Sequence, residues 1–191
     1  MTRAETAAIV SRLEHLAEKP SDRSFTDVPS NHWARSYIQK VSQAGWMNGS
    51  NGQFRPDTPI TRAELSVLLL RIRGIHAVQL DNFEDTRYHW AREDIATARA
   101  LGYLEGREDG KFYADGFIRR DEAAKLLDIA LYRGRLMDGD TKVTQHWPDL
   151  PKNAWSFGWV EELSMVAHES YHQGAWQERL VRYLPDLTLP F

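Results

Sequence analysis

The chain has 191 residues, a formal net charge of −3 and no cysteine. This length allows one large domain or two small ones, each with a real hydrophobic core. The charge excludes a broad basic face for nucleic acid or an anionic membrane, and the missing cysteines exclude disulfides and thiolate metal sites. No apolar run is long enough to span a bilayer. Residues 1–20 are charged and amphipathic, unlike a signal peptide, so we expect an export signal and further domains upstream.

The first predicted element is a helix within residues 1–24. Thr2 and Glu5 form a capping box, in which each side chain accepts a hydrogen bond from the backbone of the other residue at a helix start. Apolar residues then recur at helical spacing, at Ala8, Ile9, Leu13 and Leu16. Pro20 ends this pattern, and residues 20–24 are predicted to be a linker.

A helix–loop–helix repeat is predicted at residues 25–79. The repeat begins with a segment whose backbone Pro29 restricts to an extended conformation. A helix with Trp33 at its start follows. The loop that follows contains three glycines, for which positive φ angles are expected, at Gly45, Gly49 and Gly52. A second capping box, Thr61 with Glu64, begins the second helix of the repeat.

Residues 80–134 repeat the same plan. Trp90 matches Trp33, and the loop glycines recur as Gly102, Gly106 and Gly110. Arg119, however, stands where the capping threonine should be. Because an arginine side chain cannot accept the capping hydrogen bond, this copy should lose about 1 kcal/mol of helix stability.

The chain closes with a linker and a half-repeat at residues 135–191. Trp155 matches the two earlier tryptophans, and a helix is predicted to continue from there to about His172. No three-glycine loop or second capping box follows, and residues 185–190 are expected to be extended.

The order of these segments is half, whole, whole, half, and the two halves are complementary. Each half alone would leave an apolar face exposed. We therefore predict that residues 1–24 pack against the closing half-repeat and form the third member of a closed ring. The whole chain, residues 1–191, would then be a single domain.

Residues of both full repeats resemble the S-layer homology (SLH) family. The resemblance depends on Phe25, Asp27-Val28, His32-Trp33-Ala34, Gly45, Gly49, Gly52, Phe54, Pro56 and Ile60-Thr61-Arg62-Ala63-Glu64. It implies an all-α domain with three helix–loop–helix repeats around a pseudo-threefold axis. It also implies a non-catalytic module, without a cofactor, that anchors an exported protein to an acidic, pyruvylated secondary cell wall polysaccharide. Its location would be extracellular, at the cell wall or S-layer.

The arginine of the family's Thr-Arg-Ala-Glu motif is implied as a ligand-binding residue, and it corresponds to Arg3, Arg62 and Arg120. Each would lie at the first position of a helix, where a cation is unfavourable by a few tenths to about 1 kcal/mol. An anion bound there would contact the guanidinium and the free backbone N–H groups of the helix start. The alternative is an arginine that is solvated or paired with an acid of a neighbouring repeat.

The other candidate ligand-binding residues occur in pairs, one member in each full repeat: Asp27 and Asp85, Trp33 and Trp90, Gly52 and Gly110. Each pair has a structural alternative. The aspartates could stabilise turns, and the glycines could serve the loop backbone. The tryptophans are expected to pack mainly in the core, with an edge left for a groove.

Residues 168–172 spell His-Glu-Ser-Tyr-His, the HExxH pattern that binds zinc when it lies on a helix. Only Glu178 follows at a plausible distance for a third ligand, and the extended form of the motif would need a glycine at Ala175. We therefore treat His168 and His172 as weak metal candidates and predict no enzyme. The alternatives to a carbohydrate-binding module are a protein–protein assembly module that uses the same grooves and, less favoured, a zinc hydrolase.

Overall fold

A computed structural model of the chain describes residues 1–14, 16, 24–78, 80–164 and 166–185. The chain divides into two compact units, Met1–Ile118 and Arg119–Phe191. Within the described residues, no helix is long and apolar enough to cross a membrane. Most of the predicted linker at residues 20–24, and all but one residue of the predicted extended segment at 185–190, lie outside this part of the chain.

The first unit is helical. Its elements are α1 (Arg3–Leu13), α2 (Arg35–Gln43), α3 (Arg62–Ile72), a 3-10 helix (Glu84–Thr86) and α4 (Arg92–Ala100). Both predicted capping boxes are confirmed. At the start of α1, Thr2 Oγ1 accepts from the backbone N–H of Glu5 at 3.1 Å, and the Glu5 carboxylate accepts from the Thr2 N–H at 2.7 Å. The same pair of bonds, each 3.1 Å long, joins Thr61 and Glu64 at α3.

Helix pairs and two loop phenylalanines build the core of this unit. α1 packs against α2, and α3 packs against α4. Fully buried large side chains come from the helices and from the loops that follow α2 and α4: Ile38, Phe54, Leu65, Leu68, Leu69, Ile95 and Phe112. Phe54 and Phe112 occupy equivalent places in the two repeats, so each loop is fixed to the core through its aromatic ring.

The interpretation of the tryptophans as core residues is wrong. Trp33, Trp90 and Trp155 are 58%, 64% and 54% exposed. Each lies two residues before its helix rather than on the helix face. In the first repeat the His32 ring accepts a hydrogen bond from the N–H of Ala34 at 3.1 Å, and the alanine is fully buried. The small alanine therefore faces the core, and the neighbouring tryptophan faces solvent.

The second unit is mixed, so the all-α prediction is wrong. It contains α5 (Arg120–Ala130), β1 (Arg135–Met137), α6 (Phe157–Glu162), β2 (His168–His172) and β3 (Gln177–Tyr183). The strands form one sheet in the order β1-β3-β2. β1 and β3 are parallel, whereas β2 and β3 are antiparallel.

A small core explains why this region forms strands. Alternate β3 residues Glu178 and Leu180 are buried, which is the two-residue period of a strand with one covered face. Leu180 packs in a cluster with Leu136, Val143 and Phe157. Helix α6 ends at Glu162, well before the predicted end near His172, because the chain then turns into the β2–β3 hairpin.

Candidate functional site

The guanidinium of Arg3 holds the loop of the first repeat. Its Nε donates to the carbonyl oxygen of Phe54 at 2.8 Å and its Nη2 to that of Asn48 at 2.9 Å. Its Nη1 forms an ion pair with Glu64 at 2.6 Å. The cation also lies over the Phe54 ring, 4.8 Å from the centroid. Three of the five N–H groups of a guanidinium are therefore used within the described residues.

Arg62 makes the corresponding contacts with the loop of the second repeat. Its Nε donates to the Phe112 carbonyl at 2.9 Å, its Nη2 donates to the Glu105 carbonyl at 3.3 Å, and the cation lies 4.7 Å from the Phe112 ring centroid. Arg120, the third member of the set, is exposed at the start of α5 in the other unit. The structure thus places Arg3 and Arg62 in one kind of environment and Arg120 in another.

The backbone N–H groups at the starts of α1 and α3, where the sequence predicts an anion, already have hydrogen-bond partners. The N–H groups of Arg3 and Ala4 donate to carbonyl oxygens of Thr58 and Pro56, and the next two N–H groups bond to Thr2. At α3 the N–H groups of Arg62 and Ala63 likewise donate to Gly116 and Ala114, and the next two bond to Thr61. Because all four N–H groups of each first turn already donate hydrogen bonds, none of them is left to bind a ligand.

Asp27 and Asp85 fix the backbone of the same loops. Asp27 accepts from the N–H groups of Phe54 and Arg55 at 2.8 and 2.6 Å. Asp85 accepts in the same way from the N–H groups of Phe112 and Tyr113, at 3.0 and 2.7 Å. Arg55 and Tyr113 have φ angles of 59° and 58°. Each aspartate therefore stabilises a left-handed residue that precedes the next turn.

The loop glycines serve two different needs. Gly52 and Gly110 have φ angles of 73° and 76°, and the space next to each Cα is open. Gly49 is needed for close approach, since a Cβ there would lie 2.2 Å from the carbonyl oxygen of Gln53. The structure thus gives Gly52 and Gly110 a conformational role at the loop surface.

A cleft of about 260 Å³ lies beside the loop of the first repeat. Its walls come from the loop, from α1 and α3, and from the exposed Trp90 of the second repeat. The polar and aromatic residues that line it are Arg3, Trp46, Asn48, Ser50, Arg55, Glu64, Arg71 and Trp90. Of the predicted ligand-binding residues, it brings together Arg3 and Trp90.

This cleft is cationic, with three guanidinium groups and one carboxylate in its lining. Burial lowers the pKa of the Arg3 guanidinium, Glu64 opposes this effect, and the nearby charge of Arg55 adds to it. Arg55 and Arg71 are both exposed. The Nη1 of Arg71 donates to the Trp46 carbonyl oxygen at 3.2 Å, which holds that side chain across the cleft wall.

The loop of the second repeat borders a different depression, which shares only its loop positions with the first cleft. This broader depression of about 790 Å³ is lined by Gly106, Arg107, Glu108, Asp109, Tyr113 and Gly116. Tyr113 replaces Arg55, and its hydroxyl donates to the carboxylate of Asp109. Two carboxylates and one guanidinium line this depression, so the second loop does not present the excess of arginine seen in the first cleft.

Sequence reasoning missed Arg55, Arg71 and Trp46. A usable signal was present, because Arg55 aligns with Tyr113 and Arg71 aligns with Ile129 when the two repeats are superposed on their capping boxes. Where two similar repeats differ in the charge of one position, one groove can bind a charged ligand that the other does not bind.

The HExxH segment is a strand and not a helix. His168 and His172 are four residues apart on β2, which separates their Cα atoms by about 13 Å. His168 lies against buried carboxylates, whereas the His172 side chain is exposed. The paired-histidine geometry of a helical zinc site is therefore absent from this segment.

Comparison with known proteins finds one matching family and several relatives of the cell surface. The family described as "S-layer homology domain" matches residues 24–66 and 82–124. Cell surface glycoprotein 1 of Acetivibrio thermocellus is 32% identical over 97% of this chain. The cellulosome-anchoring protein of the same organism is 31% identical over 90% of the chain. S-layer protein EA1 of Bacillus anthracis is 28% identical over 80% of it.

The chain spans only a small part of these curated relatives. It covers 8% of the cell surface glycoprotein, 39% of the cellulosome-anchoring protein and 18% of the S-layer protein. The similarity therefore concerns one module that is shared by otherwise different proteins.

Proposed function

Since the two full repeats of this chain belong to the S-layer homology family, we propose that the protein is a non-catalytic module that anchors an exported protein to the bacterial cell wall. It acts outside the cell, and its partner is a secondary cell wall polysaccharide. Its relatives, which include a cellulosome-anchoring protein and S-layer proteins, support this assignment.

The proposed binding site is the cleft of the first repeat. Arg55 and Arg71 bind an acidic group of the sugar, such as a pyruvyl carboxylate, because an arginine can donate two parallel hydrogen bonds to a carboxylate. Arg3 forms the inner wall and keeps the loop in place. Trp90 offers an exposed ring face to the apolar side of a sugar.

The observation that carries this proposal is the excess of positive charge in the cleft. Three guanidinium groups face one carboxylate, although the chain as a whole has a net charge of −3. The cleft volume of about 260 Å³ is just below the range of roughly 300–1,000 Å³ of sites for drug-sized ligands. Such a volume suits a sugar unit at a chain end. Arg62 and Arg120 lie outside this cleft.

The experiment is a binding assay with purified wall polysaccharide, before and after chemical removal of its pyruvyl groups. The proposal predicts binding to the intact polymer and a large loss after their removal. Equal binding to both preparations would contradict the carboxylate mechanism. Failure to bind either, together with binding to a cell-surface protein, would favour the protein-assembly alternative.

A further inference from the structure

The second unit contains a buried cluster of acidic residues around His168 that the proposed function does not use. One ligand atom from each of Glu162, His168 and Glu178 lies within 4.8 Å of the other two. The Glu162 and Glu178 side chains are only 2% and 7% exposed. These residues come from the end of α6 and from the two strands of the hairpin, so folding alone brings them together.

Asp128 of α5 is buried near this cluster, close enough for its charge to interact with those of Glu162 and Glu178. It is completely buried, and neither of its carboxylate oxygens accepts a hydrogen bond from the part of the chain that the structure describes. Burial, with the nearby charge of Glu162, raises the pKa of Asp128 to about 10. A buried carboxyl group with two unused acceptors is costly unless a cation or a proton satisfies it.

The orientation of His168 is the one that metal-binding histidines adopt. Its Nδ1 lies 2.9 Å from the carbonyl oxygen of Val166, so it donates its proton there. Its Nε2 therefore faces the carboxylates, 2.9 Å from an oxygen of Glu162. A backbone carbonyl that fixes the outer nitrogen of a histidine is a common second contact in metal sites.

Glu178 is held in a similar way. One of its oxygens accepts from the N–H of Gly134 at 2.8 Å, and the other accepts from the hydroxyl of Ser170. Arg133 forms an ion pair with Glu162 at 3.0 Å. Glu162 and Glu178 thus face one guanidinium, which leaves one negative charge uncompensated when the imidazole is neutral and Asp128 is protonated.

We propose that Glu162, His168 and Glu178 bind one divalent first-row transition metal ion, such as Zn²⁺ or Mn²⁺. One imidazole nitrogen with carboxylate oxygens is a donor set that suits these ions, and three protein ligands leave a coordination position for water. The ion joins α6 to both strands of the hairpin, so its role is to stabilise the second unit. His172, whose Nδ1 lies 3.8 Å from Glu178, is exposed and is not one of the three ligands.

The test uses the full chain after treatment with a chelator and dialysis. Zn²⁺, Mn²⁺ and, for comparison, Ca²⁺ are added separately, bound metal is counted by mass spectrometry, and thermal unfolding is followed. We expect about one zinc or manganese ion per chain. At a metal concentration a hundred times the Kd, the melting temperature should rise by roughly 5–10 °C for a chain of this size.

Two variants test the ligand set. His168→Gln removes the one imidazole ligand, so it should lose metal binding and the metal-dependent rise in melting temperature. Its metal-free melting temperature, compared with that of the metal-free parent, shows whether it folds. His146→Gln is the matched control, because His146 contacts buried Glu161 at 2.6 Å in the same unit but lies outside the cluster. This control should bind metal as the parent does.

Three results would overturn the proposal. The parent chain could take up no stoichiometric transition metal, in which case protons on His168 and Asp128 satisfy the cluster instead. His168→Gln, when folded, could bind metal as well as the parent. Finally, His146→Gln could abolish binding while His168→Gln retains it, which would place the ion elsewhere.

Discussion

Arg3 and Arg55 show how two arginines of one cleft can have different tasks. Arg3 is buried and binds two loop carbonyls and Glu64, whereas Arg55 is exposed at the cleft surface. The first side chain builds the site, and the second is available to a ligand. An arginine motif in a sequence therefore does not by itself distinguish a binding residue from a residue that supports one.

Replacing Arg3 with alanine should lower the free energy of unfolding by on the order of 3 kcal/mol. The change removes the hydrogen bonds that Arg3 donates to the carbonyl oxygens of Phe54 and Asn48, and it removes the ion pair with Glu64. Urea unfolding measures this loss. Arg120→Ala, at an exposed position, is the control and should change stability by no more than about 0.5 kcal/mol. Equal effects of the two changes would show that Arg3 is not a structural clamp.

At the scale of single elements, the loop of the first repeat depends on its glycines in different ways. Gly52→Ala should cost about 1 kcal/mol, because an L-residue at a φ angle of 73° is strained but has space for its side chain. Gly49→Ala should cost clearly more, since the new Cβ would lie 2.2 Å from a backbone oxygen. Thermal unfolding of both variants checks this order, and a smaller cost at Gly49 would contradict the loop geometry.

Helix α5 has only half of a capping box. The carboxylate of Glu122 accepts from the Arg119 N–H at 3.2 Å, but a guanidinium cannot accept in return. The N–H of Glu122 bonds to the side chain of Asp121 instead, at 2.9 Å. The sequence predicted this defect correctly, because it follows from the chemistry of one residue.

Arg119→Thr should therefore stabilise the chain by about 0.5–1 kcal/mol, since threonine supplies the missing acceptor. Thr61→Ala, which removes the working acceptor of α3, should cost about 1 kcal/mol. Denaturant titrations of both variants give the two values. A loss of stability in Arg119→Thr would mean that the ion pair between Arg119 and Asp121, at 2.8 Å, contributes more than the cap.

The sequence predicted the local features of this chain, but it did not predict those that depend on long-range contacts. Caps and glycine turns are local, so Thr2, Thr61 and the turn at Gly52 were predictable. The fold of residues 168–183 was not, because the spacing of Val160, Leu163 and Val166 fits a helix, while the pairing of β3 with two other strands is a long-range contact. The cleft was only partly predictable, since Arg55 and Arg71 belong to no motif.

For the whole molecule, the loops of two similar repeats border depressions that differ in lining and in charge. The cleft of the first repeat has an excess of arginine, and the depression of the second has an excess of acid. An anionic polymer should therefore be bound by local contacts in the first repeat rather than attracted by the net charge of −3. The predicted packing of the terminal half-repeats into a closed ring stays a prediction.

The most direct test of this account is calorimetric titration of the pyruvylated polysaccharide fragment into the full chain and into two variants. In Arg55→Gly with Arg71→Ala, Kd should rise roughly 10- to 100-fold, since two charge-assisted contacts are lost. The left-handed φ angle of 59° at position 55 suits glycine, so this variant should remain folded. Arg107→Ala, in the second repeat, should bind as the parent does. Unchanged binding by the double variant, or a comparable loss in Arg107→Ala, would contradict the assignment of the cleft.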